Sequence, residues 1–328
     1  MDFSDIVGNA ARAALGPEAA ILALLAIGLN LHFGYTGLYN FGQVGFMLLG
    51  AFGIGVAVDT WGLSMWAGIP LSIALAVVFA FLLGLPTLRL RADYFAIVTI
   101  AAAEILRFVA RSGSATDLTG GPFGLQDVGQ DFRDLNPFSS GFDFGNFRYS
   151  AAQLFSLVVG WLLVGLCTFL VYRLIRSPWG RVIRSIREDE DVARSLGKNV
   201  FGYKMQSLVI GGVIGAFGGI MWALTTSGVN ANSFQPQQTF FAYTILIIGG
   251  AATPLGPIVG AVIFQFIFAG SQSVLAQLDN NGWLPGFLEG NQARGALSLA
   301  LVGLILALML AFRPQGIFGN KEEIALGR

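Results

Sequence analysis

The sequence predicts an all-α protein built from membrane-spanning helices, and three observations predict it. Of its 328 residues only 12% are charged, about half the share of a soluble domain. Hydrophobic residues make up 55% of the chain, and the mean hydropathy is +0.69. The charges also avoid long runs: 19–58, 60–88, 149–172, 205–278 and 295–312 contain no Asp, Glu, Lys or Arg. A helix crossing about 30 Å of hydrocarbon needs about 20 apolar residues, so these runs are long enough for one or more spans. They lack the alternation over about ten residues that marks a transmembrane β-barrel. A water-soluble enzyme is excluded.

The elements follow in order. Residues 1–17 carry Asp2, Asp5 and Arg12 and do not have the pattern of a cleavable signal peptide. Residues 19–33 form a first helix, followed by the glycine-rich Gly34-Tyr-Thr-Gly37. Residues 38–58 form a second span, and 63–85 a third that ends at Pro86. The fourth, 94–110, carries Glu104 and Arg107. A polar connection, 111–148, separates it from the fifth, 150–172. The most charged stretch, 173–204, comes next. Three segments then share the long uncharged run: 205–225, 239–251 and 255–277. A second polar connection, 278–294, precedes the last span, 295–312. The expectation is about eight to ten membrane segments, some broken or re-entrant, in a single transmembrane domain over 1–328.

Charge placement orients them. Segment 173–204 holds eight Lys or Arg against four acids, so the positive-inside rule puts it in the cytoplasm, with Arg89 and Arg91. Connection 111–148 holds five acids against three bases and falls outside. Alternation then puts the C-terminal tail, 313–328, in the cytoplasm.

Composition removes other chemistries. Cys167 is the single cysteine and His32 the single histidine, so disulfide frameworks, thiolate clusters and His-based metal sites or triads are unavailable. No metal ligand set is expected. His32, near the end of the first span, is assigned to packing or a hydrogen bond. The net charge of zero gives no sign of nucleic acid as a partner.

Two interruptions stand out. Gly34-Tyr-Thr-Gly-Leu-Tyr-Asn-Phe-Gly-Gln43 places polar groups and glycines inside an apolar run. It reads either as a short interfacial loop or as a break buried in protein or facing a cavity, the only places lipid permits irregular backbone. Gly249-Gly-Ala-Ala-Thr-Pro-Leu-Gly-Pro257 interrupts the later half in the same way. Paired breaks in two halves point to a transport pathway near the midplane. Tyr35, Thr36, Asn40, Gln43, Gly249, Gly250 and Thr253 are the candidate pathway residues.

The cytoplasmic stretch from Ser177 to Gly197 predicts an amphipathic helix, started by Pro178 and stopped by Gly197. Val182, Ile183, Ile186, Val192, Ala193 and Leu196 give its apolar side. Arginines alone would suit lipid phosphates, but the acids from Glu188 to Asp191 suit a protein partner better. In the fourth span, Arg107 follows Glu104 by three residues, the spacing of a structural ion pair on one helix face.

The run Arg181-Val-Ile-Arg-Ser-Ile-Arg-Glu-Asp-Glu-Asp-Val-Ala-Arg-Ser-Leu-Gly-Lys-Asn-Val resembles the coupling segment of permeases of the branched-chain amino acid ABC transporter family, LivM type. Further blocks agree in the same order. They are Gly34-Tyr-Thr-Gly37 with Asn40-Phe-Gly-Gln43, Leu88-Arg-Leu-Arg-Ala-Asp-Tyr-Phe-Ala-Ile97 with Glu104-Ile-Leu-Arg107, Thr119-Gly-Gly-Pro122, Gly249-Gly with Leu255-Gly-Pro257, and Arg313-Pro-Gln-Gly-Ile317. The resemblance covers roughly 20–318. Gln43 departs from it, since many relatives place His there.

The resemblance implies a permease subunit of an ATP-driven importer in a bacterial plasma (inner) membrane. It implies a heterodimer with a homologous second permease, two cytoplasmic ATPase subunits and an external solute-binding protein. Branched-chain, hydrophobic amino acids are the implied substrates, moved by alternating access; urea and short-chain amide importers have similar permeases. ATPase coupling falls on Gly180, Ile186, Arg187, Glu188, Asp189, Ala193, Leu196 and Gly197. The chain has no phosphate-binding Gly-x-x-x-x-Gly-Lys-Ser/Thr loop, so ATP and Mg would be used by partners, with no cofactor or enzymatic activity here. The rival readings are a stand-alone channel or ion-coupled carrier, for which only Glu104 qualifies as a coupling acid, and a membrane scaffold or receptor.

Overall fold

The structure, a computed structural model, describes residues 3–144, 147–280, 291–312 and 316–319. Connection 281–290 and most of the 313–328 tail lie outside the described residues. Fourteen α-helices occur among those described. An amphipathic α1 (Phe3–Leu15) leads into α2 (Pro17–Leu29), whose last turn widens to a π-helix, Asn30–Thr36. A turn at 37–42 reverses the chain into α3 (Gln43–Gly55), prolonged by a second π turn, Val56–Thr60. Next come α4 (Met65–Thr87) and α5 (Ala92–Arg111). The polar connection contains the short α6 (Thr116–Thr119) and α7 (Gln130–Asp134) and the strands β1 (Leu125–Gln126), β2 (Phe142–Phe144) and β3 (Phe147–Tyr149). A long α8 (Ala151–Arg176) is followed by α9 (Pro178–Glu188), α10 (Glu190–Ser195) and α11 (Val200–Thr226). After β4 (Gly228–Val229), α12 (Gln237–Gly249), α13 (Gly256–Asn280) and α14 (Asn291–Phe312) complete the bundle.

The helices run between two distinct ends. At one end α9 and α10 lie beside the 36–39 turn and the 88–91 connection, all lining a shared cleft of about 250 Å³. At the other, β1 pairs antiparallel with β4, with Leu125 opposite Val229. There Asp131 accepts from the Met65 N–H at 2.9 Å, capping α4, and Arg133 bonds Ser227. The Thr60 hydroxyl donates to Leu118 O at 2.9 Å, and Tyr149 donates to Arg12 O at 2.7 Å, holding α1 to this same end. Residues 17–60 therefore cross the bundle twice.

Burial sorts the helices into an inner set and a jacket. Every residue over 19–29 is buried, and α3 and α11 are buried along most of their length. A helix that is apolar on all sides belongs in the interior. In the jacket, α5 turns Tyr94, Ile97, Ile105 and Phe108 outward, and α8 turns out Leu162, Leu166, Phe169 and Leu170. Exposed apolar faces on this scale suit lipid or another membrane subunit, not water.

Several expected boundaries need correction, two of them here. The 178–197 stretch is two helices, because Asp189 adopts extended geometry (φ −153°, ψ 108°) and caps α10. The second span begins at Gln43 rather than residue 38, since 37–42 forms the turn.

Candidate functional site

The first break begins where the π turn releases backbone groups from regular pairing. Leu31 O is met by the Thr36 hydroxyl at 2.7 Å, and the Ser207 hydroxyl of α11 lies 2.6 Å from Thr36. Each hydroxyl has one hydrogen, so with Thr36 donating to Leu31 O, Ser207 donates to Thr36. Gly37 then takes a left-handed φ of 74°, and the chain turns.

Three side chains fill the turn: His32, Asn40 and Gln43, each with no exposed surface. Their orientations follow from the backbone groups at the ends. The Gly42 N–H donates to Asn40 Oδ1 at 2.9 Å, which directs Asn40 Nδ2 toward His32 Nδ1 and Gln43 Oε1, both at 3.1 Å. Gln43 Nε2 must then face Gly211 O, at 3.1 Å. His32 accepts at Nδ1 and donates from Nε2 to Leu208 O at 3.2 Å, which fixes one neutral tautomer. Two threonines from other helices finish the accounting. Thr99 of α5 accepts from Phe41 N–H at 3.1 Å, and Thr239 of α12 from Val44 N–H at 3.0 Å. Irregular backbone inside a membrane bundle survives where side chains of neighbouring helices supply such partners.

This network supports a stability prediction. Asn40→Ala strands the Gly42 N–H, His32 Nδ1 and Gln43 Oε1, and each buried orphan costs about 1–3 kcal/mol. The thermal midpoint in detergent is expected to fall by at least about 5 °C. A midpoint equal to wild type would mean the network carries no stability.

The second break lies between α12 and α13. With 13 residues, α12 extends only about 20 Å, short of a full crossing, so the break is internal. Gly250 turns at φ 103° and Ala252 at φ 60°. The Thr253 hydroxyl donates to Gly250 O at 2.8 Å and accepts from Gly256 N–H at 3.1 Å, capping both helix ends. The chain's last described turn also seats here. The N–H groups of Ile317 and Phe318 donate to Ile248 O and Gly249 O, both at 3.0 Å, serving carbonyls that α12 leaves unpaired.

The two breaks touch. Asn30 Oδ1 accepts from Ala252 N–H and Asn30 Nδ2 donates to Thr253 O, both at 2.9 Å. Gly34 permits this approach: a Cβ there would meet Asn30 Oδ1 and sit 2.6 Å from Ala252 N.

Beneath the first break lies the α9–α10 segment. Gly180 is required where α9 folds back on α8, since a Cβ would run into the Ile175 carbonyl. Ile183, Ile186 and Ala193 face inward, and Ile186 and Ala193 cluster with Val200. Glu190 is held by Lys204 of α11, and Arg194 bonds Glu190 at 2.9 Å. The Asp189 carboxylate accepts from the Asp191 and Val192 N–H groups at 2.9 and 3.0 Å. Arg187 lies against the break itself, its Cγ 3.3 Å from where a Gly37 Cβ would be. Outward-facing positions include Glu188, Val192 and Leu196, the last two 55% and 72% exposed.

Placed against the sequence reading, Tyr35, Thr36, Asn40, Gln43, Gly249 and Gly250 are buried and Thr253 is partly so. The structure places Tyr35, Thr36, Asn40 and Gln43 at the first break and Gly249, Gly250 and Thr253 at the second, which meet through Asn30 and Gly34. It engages the polar side chains of Thr36, Asn40, Gln43 and Thr253 in the chain's own hydrogen bonds. Of the residues that the resemblance assigns to coupling, Gly180, Ile186 and Ala193 hold the segment to the bundle, Asp189 caps it, and Gly197 closes it at φ 75°. Glu104 and Arg107 form a two-pronged pair, Nε to Oε1 at 2.8 Å and an Nη to Oε2 at 2.7 Å. Asn30, Thr99, Ser207, Gly211 and Thr239 join the candidate site through hydrogen bonds that the sequence reading did not single out. The polar residue Asn30 next to an apolar run was the one available signal.

A bundle with apolar outer faces, two internal breaks and a charged helical pair at one end defines a multi-pass membrane permease. Residues 17–311 match the family model described as branched-chain amino acid transport system / permease component, and the chain belongs to that family. It is similar to the high-affinity branched-chain amino acid transport system permease protein LivM of Salmonella typhimurium. Identity is 31% over 309 residues, covering 90% of this chain and 67% of that protein. The LivM protein of Methanocaldococcus jannaschii is 26% identical, with 92% of this chain and 91% of that one covered. More distantly, the nucleoside ABC transporter permease protein NupC of Lactococcus lactis is 25% identical, with coverage of 86% and 87%. The chain is thus a permease component of the ABC transporter class.

Proposed function

We propose that this permease carries branched-chain amino acids across the bacterial plasma membrane as half of a heterodimeric pathway. The observation that carries the mechanism is the seating of α9 on the first break, Arg187 against Gly37. A partner ATPase that displaces α9 and α10 would move the turn at 37–42, and with it the polar junction above. The positive charge of 173–204 puts this end in the cytoplasm and the β1–β4 end outside, facing a solute-binding protein. In this reading the pathway candidates act by setting the breaks between inward- and outward-open states. ATP and Mg serve the partner subunits. The identity to LivM proteins supports hydrophobic amino acids over urea or nucleosides.

Reconstitution of the assembled complex with its binding protein tests this. ATP-dependent uptake of leucine is expected, with urea and nucleosides failing to compete, while the purified chain alone neither transports nor hydrolyses ATP. Preferential uptake of urea would overturn the substrate assignment. Gradient-driven uptake by the chain alone would overturn the subunit assignment.

A further inference from the structure

Asn30 occupies an unusual place. It belongs to the π turn of the first break, yet both halves of its amide are spent on the second, on Ala252 N–H and Thr253 O. Its side chain is 1% exposed, so water cannot replace either bond. The backbone groups it serves flank the left-handed Ala252, where the chain is leaving α12 and has not begun α13. The carboxamide therefore stands in for a missing peptide partner. Gly34, one turn on, is the second independent feature: only a residue without a Cβ lets the first break lie against Asn30 Oδ1 and Ala252 N. The second break is otherwise held by its own Thr253 and by the turn at 316–319.

From this geometry we infer that Asn30 is a positioning residue that ties the two helix breaks into one unit, so that both shift together during transport. The inference rests on the permease reading above and adds a route from α9, through Gly37 and the π turn, to the 250–255 segment. Movement at the first break pulls directly on Ala252 and Thr253 through the Asn30 amide, whereas the bond from Val44 N–H to Thr239 lies at the opposite end of α12. Without that amide, α9 can still move the 37–42 turn, but the 250–255 segment loses its hydrogen-bonded tie to it and follows less closely.

The test uses the assembled complex carrying Asn30→Ala, compared with wild type. Hydrogen exchange across 250–255 is expected to accelerate at least about tenfold, as the Ala252 N–H loses its acceptor. Leucine transported per ATP hydrolysed is expected to fall at least about fivefold while ATP hydrolysis persists, a split that general misfolding would not produce. Asn30→Asp supplies the rescue: its neutral carboxyl can accept from Ala252 N–H and donate to Thr253 O. Coupling should therefore return under acidic assay conditions and be lost under alkaline ones. Unchanged exchange in Asn30→Ala would overturn the bridge, and faster exchange with a normal leucine-to-ATP ratio would overturn its role in coupling. A wild-type complex that ignores leucine would overturn only the substrate assignment, leaving the exchange measurement to judge the bridge.

Discussion

Gly219→Val is expected to leave almost no folded, monodisperse protein. In α11 a Cβ at Gly219 would fall on the Met47 carbonyl of α3 and lie 2.9 Å from Ala51 N. The contact is reciprocal, because a Cβ at Gly50 of α3 would fall on the Ala216 carbonyl of α11. Neither obstruction is a flexible side chain that can swing aside. Both are backbone, held in the helical ladders of two buried helices. Close backbone approach through small residues is how helices associate where lipid removes most of the hydrophobic drive. Parting α3 from α11 would also pull Gln43 from Gly211 and Phe46 from Gly212, so the cost should exceed the ~3 kcal/mol typical of an overpacked core. Gly165 in α8 is the matched control, with nothing within 4 Å of its Cβ position. Size-exclusion profiles of the detergent extracts measure both. A normal profile for Gly219→Val would show that the α3–α11 contact is not essential.

The membrane segments were legible because charge is excluded from lipid, so their limits appear as the nearest Asp, Glu, Lys or Arg. Where another rule set the boundary, the reading failed. The first span continues past residue 33 because the π turn absorbs polar residues whose partners, Ser207 and Leu208, lie on a distant helix. The split at Asp189 was hidden because an acid in an acidic run fits a solvated helix face as well as it fits an N-cap. Helix α1 escaped notice because Asp5 and Arg12 make it amphipathic rather than uniformly apolar. At the junction, composition flagged Asn40 and Gln43 correctly as unusual. Their partners could not be read, since His32 and Gly211 meet them only through tertiary packing. The Arg313-Pro-Gln-Gly-Ile317 block shows the same limit. It was visible as a motif, but the bond from its Ile317 N–H to Ile248 O, at the end of α12, joins residues far apart in the sequence.

The double substitution Val192→Asp with Leu196→Asp is expected to abolish ATP-driven uptake without unfolding the permease. Both side chains point away from the bundle, four residues apart, and neither is used to hold the segment in place. That task falls to Ala193 inward, to Lys204 on Glu190 and to the Asp189 cap. An isolated pair of exposed aliphatic side chains on a moored, charge-rimmed helix is suited to insertion into a partner's apolar groove. Burying each contributes about 1.5–3 kcal/mol, so losing both, and forcing two carboxylates toward that groove, weakens association by about a hundredfold or more. The thermal midpoint should stay at the wild-type value, because exposed positions contribute little to folding. Co-purification of the ATPase should fall together with leucine uptake. Ala193→Leu supplies the contrast, lowering the midpoint by crowding the buried side of α10. An ATPase that co-purifies with the double variant at wild-type yield and still drives uptake would remove Val192 and Leu196 from the docking face.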